Sequence, residues 1–64
     1  MAYEDIKNMF KDILEFEEQA MKLYTQVSQK TQNALIQKKM AELIRDEARH
    51  AMNAKEVLKM LGNS

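Results

Sequence analysis

Asp46-Glu47-Ala48-Arg49-His50 interrupts an otherwise regular line of apolar residues, and its reading decides the fold. Around it, at heptad spacing, stand Ile36, Met40 and Leu43, then Glu47 and His50, then Ala54, Val57 and Leu61. The steps alternate between four and three, which is the packed stripe of an α-helix, where leucine or isoleucine is expected. Glu47 and His50, the only histidine, are one turn apart and share a helix face. Both can therefore reach a single metal ion.

The first half of the chain carries the same anomaly. Its stripe reads Tyr3, Ile6, Phe10, Ile13, Glu17, Ala20, Tyr24 and Val27, apolar or aromatic at every position but Glu17. A charged carboxylate in an apolar seam costs several kcal/mol unless something compensates it. A divalent cation is the compensator that carboxylates and an imidazole suit. Glu17 and Glu47 are equidistant from residue 32, so a turn centred there brings them level on antiparallel helices.

The rest of the chain supports that turn. With no proline and one glycine, little breaks a helix. Helix 1 is predicted over about residues 3–29, a turn over 30–33 and helix 2 over 34–61, in a single domain spanning 1–64. Ser28-Gln29-Lys30-Thr31-Gln32-Asn33 is the only polar stretch without an apolar beat. Thr31 and Asn33 are both candidate N-caps of helix 2. Gly62 stands where a helix C′ residue belongs. So short a connection makes the helices antiparallel neighbours, an all-α hairpin.

A 64-residue chain is marginal on its own and needs a disulfide, a metal or an oligomer. The absence of cysteine removes disulfides and thiolate metal sites. Helix 1 also carries a second apolar line at Met9, Phe16 and Leu23, flanked by Leu14 and Met21; helix 2 has Ile44, Ala51 and Leu58. That arc is wider than a two-stranded seam requires. Homodimerisation into a four-helix bundle is therefore expected, or a higher homo-oligomer, with the metal at the interface. The six methionines read as gap-filling core or interface. Ten basic and ten acidic residues cancel, so no field favours nucleic acid or an anionic membrane. No apolar run approaches the ~20 residues of a membrane span. Glu4, Asp5 and Lys7 interrupt any signal-peptide core, so a cytoplasmic location is expected.

Glu17-x-x-Ala20-x-x-x-Tyr24 and Glu47-x-x-His50-Ala51 together resemble one half of a ferritin-like, rubrerythrin-like bundle. Asp46-Glu47-Ala48-Arg49-His50 also resembles the D/E-E-x-R-H string of di-iron oxygenases. In such bundles two helices each give a glutamate and the other two each give Glu-x-x-His. The chain carries this two-helix unit once and is similar to the half-size, encapsulated-ferritin type, which rebuilds the centre between subunits. The resemblance implies Glu17 as a ligand, Glu47 as a bridging ligand and His50 as a terminal one. It implies Tyr24 and Asp46 as supporting residues, with Asp46 orienting a histidine, that of the partner subunit. It implies iron, two ions per dimer, with manganese or zinc as alternatives, and a shell protein as a partner. Two departures stand out: no cysteine means no rubredoxin-type module, and the extra carboxylate of peroxidase sites has no candidate.

Simpler readings exist for each residue. A lone histidine in a seam is commonly a hydrogen-bonded core residue, Glu17 could merely fix register, and Tyr24 could be core. Asp46 could pair with Arg49 on the surface. The favoured function is oxidation of Fe²⁺ by O₂ or peroxide, with Glu17, Glu47 and His50 at the reacting metal. The alternatives are a helical-hairpin dimer acting as an interaction module, and a dimer whose metal is structural.

Overall fold

A computed structural model describes residues 3–62. Two helices account for nearly all of them: α1, Tyr3–Lys30, and α2, Ala34–Met60. The helices extend to one residue beyond the expected end for α1 and stop one residue short for α2. They lie side by side as an antiparallel hairpin 47 Å long and 18 × 14 Å across.

The turn is built from hydrogen bonds that its residue types dictate. Asn33 has an extended backbone, and its side-chain oxygen accepts from the N–H groups of Leu35 and Ile36 at 2.9 and 3.1 Å. Two of the unsatisfied donors at the start of α2 are thereby paired. Thr31, the other candidate cap, has a different task. Its hydroxyl accepts from the Asn33 N–H at 3.1 Å, and its carbonyl accepts from the Gln37 side chain at 3.0 Å. At the far end Gly62 takes a φ of 79°, and its N–H donates to the Lys59 carbonyl at 3.0 Å, closing the helix in a left-handed turn. The Tyr3 hydroxyl donates to the Leu61 carbonyl and ties the start of α1 to the end of α2. Residues 3 and 61, like 17 and 47, are equidistant from residue 32, so one register runs the length of the hairpin.

The interhelical seam keeps much of the expected line but is turned part-way toward the second apolar line of each helix. In α2 the buried residues are Ala51, Ala54 and Leu58, at 6, 3 and 5 % exposure, while Ile36 is exposed and Val57 only half-buried. In α1 the half-buried residues are Ile6, Lys7, Phe10, Leu14, Glu17, Ala20, Met21, Tyr24 and Ser28, whereas Tyr3, Ile13 and Val27 are exposed. Both helices are thus rotated so that their smaller or flanking apolar residues meet. Ala51 and Ala54 let the backbones approach closely, and the longer side chains of Leu14, Met21 and Leu58 fill the space beside them. Glu17 and Glu47 lie in the seam in either phase; His50 does not, and moves to its edge.

One layer of two helices cannot enclose a core. Among the described residues no side chain of α1 is buried. Met9, Ile13, Phe16, Leu23 and Val27 remain 41–73 % exposed. No helix among the described residues is long and apolar enough to cross a membrane.

Candidate metal centre

Glu17 and Glu47 project into the seam from facing helices at mid-length, each side chain only about one-fifth exposed, at 20 and 19 %. His50, one turn beyond Glu47, reaches back over the edge of the seam and is half exposed. Its Nδ1 stands 3.5 Å from Glu17 Oε2 and 3.9 Å from Glu47 Oε1. One ligand atom from each of the three falls within 4.8 Å of the others. Among the described residues this is the one such group of three or more carboxylate, imidazole or thiol side chains.

Glu17 Oε2 is the atom of the group most in need of a partner. It is shielded from solvent and has no hydrogen-bond partner. At 3.5 Å the His50 nitrogen is too far for a strong hydrogen bond, and no backbone donor serves a carboxylate at mid-helix. A buried carboxylate oxygen left this way is costly. Three donors converging on one point, with room between them, fit a divalent cation that would take Glu17 Oε2 as a ligand. Two hard oxygens and an imidazole suit iron or manganese and tolerate zinc.

The supporting residues divide. Asp46 is held by Arg49, whose Nη2 donates to Asp46 Oδ1 at 3.4 Å, so within one hairpin it takes the surface pairing. Tyr24 is half-buried in the seam two turns from Glu17, about 10 Å along the helix, and flanks the group without joining it. The hairpin has two open sides. One is a groove lined by Glu18, Met21, Ala48, Ala51, Met52 and Lys55. By helical phase, the opposite side carries Ile13, Ala20 and Val27 of α1 with Ile36, Leu43, His50 and Val57 of α2. His50 therefore faces out of the hairpin on the side with the larger uncovered apolar surface.

A family model described as rubrerythrin matches residues 12–64. The chain belongs to the rubrerythrin family. The matched span contains Glu17, Glu47 and His50, and it covers most of α1 and all of α2. Neither a curated protein nor a solved structure matches the chain. Rubrerythrin membership agrees with the resemblance carried by Glu17-x-x-Ala20-x-x-x-Tyr24 and Glu47-x-x-His50-Ala51. The three-residue group is where this helix pair has ligand atoms that could hold a metal ion.

Proposed function

We propose that two copies of this rubrerythrin-family hairpin form a four-helix bundle that binds Fe²⁺ between them and oxidises it. The observation that carries this reading is the buried, unpartnered Glu17 Oε2 beside Glu47 and His50. One hairpin supplies two carboxylates and one imidazole, too few donors to surround an iron ion and too exposed at His50 to exclude water. Two hairpins supply four carboxylates and two imidazoles. Four like charges close together repel, and two Fe²⁺ ions neutralise them.

Carboxylate ligation favours Fe³⁺ over Fe²⁺, so the site lowers the cost of removing an electron from each iron. Two neighbouring irons together release two electrons, which with two protons convert O₂ to H₂O₂; each Fe²⁺ becomes Fe³⁺. Glu17, Glu47 and His50 of the two copies would hold the iron ions. Asp46 swings from Arg49 to orient a histidine of the partner subunit.

Anaerobic loading with Fe²⁺ followed by O₂ tests the reading. Two Fe²⁺ bind per dimer, and a near-ultraviolet ferric absorbance then rises within seconds. In Glu47→Ala it rises no faster than in buffer alone. Equal rates in Glu47→Ala and the unaltered protein would overturn the proposal.

A further inference from the structure

Met9, Ile13, Phe16, Leu23 and Val27 of α1 are exposed, and with the half-buried Ala20 they form an apolar line in alternating steps of four and three. It lies about a quarter turn around the helix from the seam made with α2, the angle at which a corner helix of a square bundle meets its second neighbour. The line is symmetric about its own centre. Met9 and Val27, Ile13 and Leu23, and Phe16 and Ala20 are each equidistant from residue 18. α2 offers much less on the same side: Ile36 is exposed, but Lys39, Asp46 and Asn53 stand beside Leu43, His50 and Val57.

We propose that a second copy docks through α1 on α1, antiparallel, with the two-fold axis crossing the helix at residue 18. This rests on the two-copy reading above and specifies which helix meets which, and in what register. Met9 then packs on Val27 of the partner subunit, and Ile13 on the partner's Leu23. Phe16, the most exposed of the line at 73 %, enters the space over the partner's Ala20. Large opposes small at the centre, as close packing of two helices demands.

The charges along the outer edge of the line reverse sign at the same centre. Asp12, Glu15 and Gln19 surround Phe16, whereas Gln26 and Lys30 lie beside Leu23 and Val27. In the proposed register Asp5 comes within one residue of the partner's Lys30, and Asp12 and Glu15 flank the partner's Lys22. A parallel pairing would set like charges together. The axis at residue 18 also lies one residue from Glu17. The two groups of three are then offset by only about 3 Å along the bundle, the scale of a two-metal site. The full length of the line, the charges beside it and the position of Glu17 are thus all compatible with one axis.

Cysteine cross-linking tests the register in a chain with no cysteine of its own. Ile13→Cys/Leu23→Cys should oxidise to a covalent dimer whose peptide map joins position 13 to position 23. Ile13→Cys/Val27→Cys, out of register by about 6 Å, should not. A complementary exchange does not depend on cysteines. Phe16→Ala and Ala20→Phe should each raise the dimer dissociation constant by roughly tenfold or more, and the double variant Phe16→Ala/Ala20→Phe should recover most of the loss. Sedimentation as a dimer without the 13–23 link, or additive losses in the exchange, overturns the docking. A 13–23 link in a protein that leaves Fe²⁺ unoxidised supports the docking and sinks the iron-oxidation reading. Iron oxidation without that link does the reverse.

Discussion

Glu17→Leu should stabilise the metal-free protein and abolish its response to metal. Glu17 occupies a seam position with 20 % of its side chain exposed, and one of its oxygens is buried without a partner. An unsatisfied buried polar group costs about 1–3 kcal/mol, and more when charged. Leucine removes that cost and adds apolar area between Leu14 and Met21, one turn either side on the same helix face. Residual access of water to Glu17 argues for the lower part of the range, about 2 kcal/mol in all. A domain of this size shifts by about 4–8 °C per kcal/mol, so the melting temperature in chelator should rise by roughly 10 °C.

Metal reverses the order. A cation that binds only the folded protein adds about 2.7 kcal/mol at a hundredfold excess over its dissociation constant. The unaltered protein gains that increment and overtakes Glu17→Leu, which keeps two of its three donors and gains little. Helical ellipticity followed on heating, with chelator and with Mn²⁺ under fixed protomer concentration, reads both effects. Two results would refute the reasoning. Glu17→Leu melting below the unaltered protein in chelator would mean that Glu17 is compensated by something other than a cation. Equal metal-induced rises in both would place the cation elsewhere.

Two further perturbations test the frame that holds the donors. Asn33→Ala strips the cap from two α2 donors and should cost about 1 kcal/mol in urea denaturation, while Asn33→Asp, which keeps an acceptor oxygen in place, should be near neutral. Ala54→Leu forces a larger side chain between helix backbones at a site only 3 % exposed and should cost about 1–3 kcal/mol. Ala48→Leu, on the open groove, should be tolerated by the same measurement.

Much of the candidate centre is legible without coordinates because register needs only a turn position. Once Ser28 to Asn33 is recognised as the polar break, Glu17 and Glu47 must come level, and the i,i+3 rule brings His50 alongside. Rotation of each helix is harder to read. Every helix here carries two apolar lines about a quarter turn apart, and both obey heptad spacing, so periodicity alone cannot say which line faces the other helix of the hairpin. Weighting by size favours Ile36, Ile13 and Val27, which stay exposed; the structure buries Ala54 of the expected line together with Ala51 and Leu58 of the second line. Close approach gains more dispersion contacts than a pair of larger residues held further apart, and small residues are easily overlooked in a hydrophobicity pattern.

That rotation has a chemical consequence. Had the seam followed the larger residues, His50 would sit beneath the helices with both carboxylates, and the hairpin alone would enclose the group. Turned as they are, the helices keep Glu17 and Glu47 sheltered and present His50 at the rim of the open face, half exposed. The same turn leaves Met9, Ile13, Phe16, Leu23 and Val27 uncovered around it. An incomplete donor set and an incomplete core therefore open on one side, and a single partner surface would complete both. This is why the Glu17→Leu and Phe16→Ala perturbations separate: the first removes a reason to hold metal and leaves the apolar face intact, the second removes the face and leaves every donor in place.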